Sequence, residues 1–314
     1  MSTTPAGEAI APPSSRPYVG RFAPSPTGPL HFGSLLGALA SFLDAHAASG
    51  RWLVRIEDID PLREQPGATR QILATLASHG LQHDGELLFQ SQRTELYRAA
   101  ADALQRNGMA YRCHCSRSWL ARHGGIHPAT CQPQADPGSP AALRLAVQSA
   151  PPSLFEDRVQ GQYQQLLARD VGDFVIWRKE DLPAYQLAVV IDDAAQGVTD
   201  VVRGSDLLDN TPRQQYLQQQ LGLRQLRYAH IPVIADRQGQ KLSKQTFARP
   251  LDDAAALDNL LAALDYLGQQ RPRQPRSVAA LLRWAVDHWR IEAVPRRLAL
   301  AGDELPPSCR LFAS

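Results

Sequence analysis

The chain of 314 residues contains no apolar run near the roughly 18–20 residues that a membrane span requires, which excludes a transmembrane helix of that kind. Residues 1–17 carry neither a charged n-region nor an apolar core, so no secretory leader is expected and the reading is a cytoplasmic protein. An excess of one charge is also missing. Lys+Arg 33 against Asp+Glu 31 leaves a formal net charge of +2, so a nucleic-acid partner would have to use a local patch. Cysteine is scarce. The 4 present, three of them at Cys113, Cys115 and Cys131, point to a metal or redox cluster and away from a disulfide framework. No internal repeat and no long low-complexity segment appears.

What is present is an ordinary apolar content of 44%, enough for a substantial core divided over about two domains at roughly 100–200 residues each. Residues 1–17, rich in Pro, Ser, Thr and Ala, bury too little apolar surface to offset ordering entropy and read as a loose tail. Residues 19–23 read as a short buried strand broken by Pro24 and Pro26. Leu35, Leu39, Phe42 and Leu43 then recur at helical spacing over residues 34–48 until Gly50, and residues 52–56 form a second strand. This strand, turn, helix, strand unit builds a doubly wound parallel sheet. Further helices are predicted over 68–78 and 94–106. Residues 111–183 read as an irregular insertion. Strand-like runs return at 187–191 and 197–202, a helix opens at Thr211-Pro212, and residues 231–234 form another strand. Two amphipathic helices are predicted over 252–266 and 277–289. Arg271, Arg273, Arg276, Arg283, Arg290, Arg296, Arg297 and Arg310 gather there, either as a solvated helical face or as an RNA contact.

Two motifs carry chemistry. Arg21-Phe22-Ala23-Pro24-Ser25-Pro26-Thr27-Gly28, with His31-Phe32-Gly33-Ser34, stands near the start, and Lys241-Leu242-Ser243-Lys244-Gln245 stands far downstream. They resemble the HIGH and KMSKS motifs of the class I aminoacyl-tRNA synthetases, and the flanks resemble the glutamyl branch from about Val19 to Phe247. Arg55-Ile56-Glu57-Asp58-Ile59-Asp60 and Val202-Arg203-Gly204-Ser205-Asp206-Leu207 belong to that resemblance. Fewer than seventy residues follow, where a full glutamyl-tRNA synthetase carries a large anticodon-binding region. The pattern resembles that of a truncated glutamyl-tRNA synthetase paralogue, which implies loading of glutamate onto queuosine, a modified anticodon base of tRNA(Asp). The resemblance implies a Rossmann-type class I synthetase core with a zinc-containing insertion and a small C-terminal helical region. The divisions expected are a tail over 1–17, the first half of the catalytic domain over 18–110, an acceptor-type insertion over 111–183, the second half over 184–249, and the helical region over 250–314.

Activation of an amino acid has its carboxylate attack the α-phosphorus of ATP, so the site must stabilise growing phosphate charge. His31 and Gly33 stand where a helix begins, and its N–H groups favour anions. In the family the first motif His contacts phosphate and the fourth position helps. Here the fourth position is Ser34, which keeps a donor without an imidazole. Lys241, Ser243 and above all Lys244 are expected to close over the phosphates of ATP, which enters with Mg²⁺. Glu57, at the end of a strand, suits an α-ammonium, and Arg21 and Arg203 offer planar forks to a side-chain carboxylate. The resemblance adds the positions of Phe22, Ala23, Pro24, Ser25 and Tyr185 to the glutamate site. The competing reading for each charged residue is a structural ion pair, and Asp58 and Asp60 are read that way. Asp206 stays open between substrate contact and loop support.

Cys113, Cys115, His127 and Cys131 make a closed set of three thiolates and one imidazole suited to structural Zn²⁺, with His114 and His123 as competing fourth ligands. In the family the corresponding insertion binds zinc, sometimes with tyrosine at the His127 position. Cys309 stands alone and reads as inert. The function expected is activation of glutamate without RNA, then transfer to queuosine in the anticodon stem-loop of tRNA(Asp), by a monomer. The alternatives are charging of a tRNA 3′ end and, in another class, a non-catalytic glutamate or tRNA sensor. The intact His31, Lys244, Glu57 and arginine pair weigh against the sensor.

Overall fold

The computed structural model describes residues 17–122, 124–127, 139–235, 249–301, 304 and 306–312. The expectations for the tail, His123, Cys131, Lys241, Ser243, Lys244 and the side chain of Arg310 lie outside these residues. In chain order the elements are β1 Val19–Phe22, α1 Phe32–Ala47, β2 Arg51–Ile56, α2 Ala68–Ser78, β3 Leu88–Phe89, α3 Thr94–Arg106, β4 Ala110–Cys113, α4 Arg117–Arg122 and β5 Ala142–Leu145. Then follow β6 Ser153–Asp157, β7 Gly161–Gln165, α5 Leu167–Asp170, β8 Phe174–Trp177, α6 Tyr185–Ala195, β9 Asp200–Gly204 and α7 Thr211–Gln220. The last are β10 Arg227–Ile231, β11 Val233–Ala235, α8 Ala256–Tyr266, α9 Val278–His288 and β12 Ala299–Ala301.

Parallel strands β1, β2 and β3 form one sheet, and β7, β6, β10 and β9 form another. Thr199, entering β9, donates its N–H to the carbonyl of Val19 at 2.9 Å and accepts the N–H of Val19 on its hydroxyl at 2.9 Å. That seam sets the two sheets edge to edge, which is the expected doubly wound core in two halves. Helix α1 lies against it, buried along nearly its whole surface through Leu35, Leu36, Leu39 and Leu43. Burying each such side chain stabilises by roughly 1.5–3 kcal/mol. The same burial takes in Asp44, a cost that is offset only by donors. Tyr18 supplies its hydroxyl, Arg158 both terminal nitrogens at 2.6 and 3.0 Å, and Trp289 its indole N–H at 2.9 Å. Gly50 turns the chain into β2 where a Cβ would sit 2.4 Å from the carbonyl oxygen of Tyr18, so no larger residue fits.

Three expectations change. Residues 187–191, read as a strand, lie in α6. A five-residue apolar run rich in β-branched side chains does not distinguish a buried strand from a helix buried on all sides, and here Leu187, Ala188, Val189 and Val190 are all buried. The strand expected over 231–234 is split by Pro232 into β10 and β11, which pair in different sheets, β11 with β12. The described residues of 111–183 are not irregular. β4, β5 and β8 make an antiparallel sheet, while the β6–β7 hairpin extends the second parallel sheet through one rung, Tyr228 opposite Asp157. The C-terminal helices pack into the core, where Leu260, Leu264, Leu281 and Leu282 join Leu35 and Leu39 of α1.

Candidate active site and metal centre

A cavity of about 580 Å³ opens where the two sheets meet. Strand β1 delivers Arg21 and Phe22 to it, and the turn after β1 adds Ala23, Pro24 and Ser25. The start of α1 supplies His31, Gly33 and Ser34, the end of β2 supplies Glu57, the first residue of α6 is Tyr185, and β9 contributes Arg203. Every described residue that the sequence assigned to glutamate or ATP lines this cavity, together with Thr27, Arg63, Asp206, Val233 and Ile234, of which only Asp206 had been considered.

Behind the first wall lies a buried ionic network. Arg55 is fully buried and reaches Asp193 at 2.8 Å, Glu57 at 3.4 Å and Asp192 at 3.8 Å. Asp192 also accepts from Gln90, Arg93 and Tyr97 at 2.7–2.8 Å. Arg21 donates its Nε–H to Asp193 at 3.3 Å. Burial pushes the Glu57 carboxyl above its ordinary range, against the pull of Arg55 and Arg21. Burial would raise Asp193 too, but Arg21 and Arg55 outweigh it and hold that carboxyl low. A cation arriving beside Glu57 therefore meets a carboxylate whose ionisation it would itself favour. Asp192 and Asp193 escaped sequence reasoning because their helix reads as a strand. Arg55 and Glu57 share one face of β2 by their spacing of two, a signal present in the sequence.

Arg203 is held differently. Its Nε–H donates to His230 Nε2 at 3.0 Å, Nη1 to Gln214 Oε1 at 2.8 Å, and Nη2 to the carbonyl of Leu207 at 3.2 Å and to Thr211 Oγ1 at 2.9 Å. None of these acceptors is a carboxylate, and Arg203 has no ion pair among the described residues. Its guanidinium lies 5.4 Å from the centre of the Tyr228 ring. A buried cation with neutral partners is costly unless an anion completes it, and one Nη1 hydrogen remains beyond these contacts.

His31 is the N-cap of α1, with extended backbone (φ −115°) and Nδ1 accepting the Ser34 N–H at 3.2 Å. That bond places the neutral ring's proton on Nε2, the nitrogen able to donate to a phosphate. Beyond the segment that carries Lys241 to Gln245, the chain comes straight back to this place. Pro250 forms a β-bridge with His31, and Leu251 donates its N–H to Leu30 O at 3.0 Å. On the other side, β11 brings Val233 and Ile234 into the cavity wall. Both flanks of the second motif thus sit at the cavity. Asp58 accepts from Ser91, and Asp60 pairs with Arg63 at 2.9 Å and Arg178 at 3.1 Å, so neither lines it.

Away from the cavity, ligand atoms of Cys113, Cys115 and His127 all lie within 4.8 Å of one another. His127 presents Nε2 to the Cys113 sulfur at 3.2 Å, while Nδ1 lies 3.2 Å from the Tyr111 hydroxyl, which donates to Asp173 at 2.6 Å. A ligand histidine oriented through its far nitrogen is the usual arrangement around a bound metal. Arg144 points its Nε–H at the Cys113 sulfur at 3.2 Å. Gly172 bridges His127 with φ +72°, and a Cβ there would lie 2.7 Å from the His127 carbonyl oxygen. His114 faces Ser139 instead, at 3.2 Å. These residues fit a soft divalent metal.

A doubly wound core whose cavity gathers a helix-capping histidine, an acidic strand end and two arginines defines the catalytic domain of a class I synthetase. The family model for class I tRNA synthetases of the E and Q type, catalytic domain, matches residues 18–264, and the chain belongs to this family. It is accordingly a ligase of the aminoacyl-tRNA synthetase type. Among named relatives it is similar to the glutamyl-Q tRNA(Asp) synthetases of Pseudomonas putida, 53% identical over 296 residues covering 92% of this chain and 96% of the relative. That of Pseudomonas fluorescens is 50% identical over 297 residues, 93% and 98%. In fold it is similar to a glutamate tRNA ligase from Elizabethkingia meningosepticum solved in complex with its amino acid (TM-score 0.76, 21% identity, 95% of this chain and 69% of that one). Glutamate-tRNA synthetase from Elizabethkingia anophelis gives TM-score 0.77 at 21% identity, covering 95% and 70%. No described helix is long and apolar enough to cross a membrane.

Proposed function

We propose that the chain activates glutamate with ATP and transfers it to queuosine in the anticodon of tRNA(Asp). The observation that carries the activation half is the cavity, which sets two arginines and one buried glutamate beside a helix N-terminus. Glu57 takes the α-ammonium, and Arg21 and Arg203 take the γ-carboxylate, which rejects glutamine because an amide forfeits the ionic attraction. The α-carboxylate oxygen attacks the α-phosphorus of ATP, the bond to the bridging oxygen breaks, and pyrophosphate leaves with Mg²⁺. His31 donates from Nε2 to phosphate, Ser34 and the start of α1 support it, and Lys244, with Lys241 and Ser243, stabilises the charge as it grows. A queuosine hydroxyl then attacks the glutamyl carbonyl, forming an ester and releasing AMP. Similarity to the glutamyl-Q tRNA(Asp) synthetases of Pseudomonas supports this acceptor.

Cys113, Cys115 and His127, with Cys131 as fourth ligand, would hold Zn²⁺ in a structural role, tying the strand end at Cys113 to the chain at His127. The chain works as a cytoplasmic monomer. The deciding experiment supplies labelled glutamate to tRNA(Asp) with and without queuosine, and to tRNA(Glu). Label confined to queuosine-containing tRNA(Asp) is the expected result, whereas label at the 3′ end of tRNA(Glu) would replace the acceptor assignment with conventional charging.

A further inference from the structure

We propose that Asp157 and His230, which the reaction does not otherwise use, are the positioning residues that fix Arg203 for the substrate carboxylate and thereby set selectivity for glutamate. The inference rests on the glutamate reading of the cavity and goes beyond it to a relay behind the cavity wall.

The relay starts at the end of β6. Oδ1 of Asp157 accepts the backbone N–H groups of Val159 at 3.0 Å, Gln160 at 2.9 Å and His230 at 3.0 Å, and Oδ2 lies 2.6 Å from His230 Nδ1. Three backbone donors and one ring donor leave this carboxylate no freedom to rotate. His230 is completely buried and its ring lies nearly parallel to that of Tyr228, 9° between planes and 6.1 Å between centres. Because Arg203 Nε can only donate, His230 Nε2 must accept, so the ring proton belongs on Nδ1, where Asp157 receives it. The polarity of the whole chain of bonds is thus dictated from one end to the other. Burial lowers the His230 pKa to about 4 although Asp157 draws it upward, so the ring is neutral at ordinary pH.

Neutrality is the useful property. A carboxylate placed directly against Arg203 would orient it equally well but would satisfy its charge and compete with the substrate. An imidazole in between passes on the geometry of Asp157 and leaves the charge of Arg203 for the ligand. Gln214 acts in the same way from the other side. Its Oε1 faces Arg203 because its Nε2 is committed to Gln186 Oε1 at 3.0 Å. The consequence is a cation held by neutral acceptors, which distinguishes a γ-carboxylate from a γ-amide by charge.

The test is glutamate-dependent exchange of pyrophosphate into ATP by the full chain, with KM for glutamate, KM for ATP and kcat measured separately. His230→Leu removes the acceptor and is expected to raise KM for glutamate by tenfold or more while KM for ATP stays within twofold. His230→Gln keeps an acceptor for Arg203 and a donor for Asp157, and is expected to restore most of the affinity. Asp157→Asn offers an amide donor where the ring N–H must be accepted, and is expected to behave like His230→Leu. Nitrogen-15 spectra of the wild-type histidines, with the His230 signal identified by its loss in His230→Gln, are expected to show the Nδ1-protonated neutral form. An Nε2-protonated ring, or a folded His230→Leu variant with unchanged KM for glutamate, overturns the relay. If His230→Leu does not fold, failure of Asp157→Asn to raise KM overturns it equally. Absence of exchange in the wild-type protein would instead overturn the functional reading, and the spectrum would still decide the relay.

Discussion

Two arginines face the same cavity from its two sides, and their settings differ. Arg21 on β1 stands 3.3 Å from Asp193, within a cluster that includes Arg55, Glu57 and Asp192. Arg203 on β9 is grasped by a histidine, a glutamine, a threonine and a carbonyl oxygen, with no described counterion. The first charge is compensated before any ligand arrives and the second is not. On the proposed function, the difference teaches that identical side chains aimed at one carboxylate need not contribute equally: Arg203 would supply net attraction, and Arg21 mostly direction.

The sharpest way to break that comparison is to remove each arginine in turn. Arg203→Ala is expected to lower kcat/KM for glutamate in pyrophosphate exchange by about 10²–10³, in keeping with roughly 2–5 kcal/mol for truncating a buried hydrogen-bonded charge. Arg21→Ala is expected to cost about ten times less, and an equal or larger loss would reverse the ranking. Lys244→Ala tests the phosphate side. It is expected to cut kcat by about 10² with little change in KM for glutamate, the size typical of one lost donor to a developing charge. Normal exchange by that variant would remove Lys244 from the mechanism.

Acid stability sharpens the comparison at Arg203. The folded-state pKa of His230 lies near 4, below its ordinary value of 6.5. Its neutral-state contribution is therefore whole above about pH 6.5 and is lost as pH falls toward 4, on the order of 3 kcal/mol in total. Protonation would also place a cation against Arg203, with Asp157 and Asp206 as the opposing charges nearby. Denaturant unfolding from pH 7 to pH 4 is expected to be less steep in His230→Gln, and an unchanged slope would show that other groups govern the loss. The smallest effect on activation is expected from the metal centre. Chelation, or Cys113→Ser, is expected to lower the melting temperature while KM for glutamate stays within about twofold, because the cluster lies outside the cavity. A large change in KM would show that the two regions are coupled.

Much of the cavity was legible in the sequence because its residues carry signals that survive without neighbours. Arg21, His31 and Glu57 fall at a strand, a helix start and a strand end, and periodicity alone places those elements. Arg203 was legible differently, through the Val202–Leu207 motif and its resemblance, since the strand read over 197–202 stops one residue short of it, and its setting was not legible. His230 stands one residue before the run read as a strand and carries no motif, and Asp157 lies in a stretch that reads as irregular. Only the pairing of β6 with β10 brings them together across a separation of 73 positions. Asp193 was hidden for a different reason: the apolar run before it suits a strand and a fully buried helix equally, and tertiary burial decides.

The hairpin of β6 and β7 joins β10 by a single backbone rung, so the carboxylate of Asp157 does more to fasten it than the ladder does. In hydrogen-exchange terms, the amides of Val159 and Gln160 are protected by a side chain whose other oxygen serves the histidine behind Arg203. A ligand that holds Arg203 in place should therefore slow exchange at those two amides, on a hairpin that does not touch it. The outer edge of the sheet becomes a place from which occupancy of the cavity can be read.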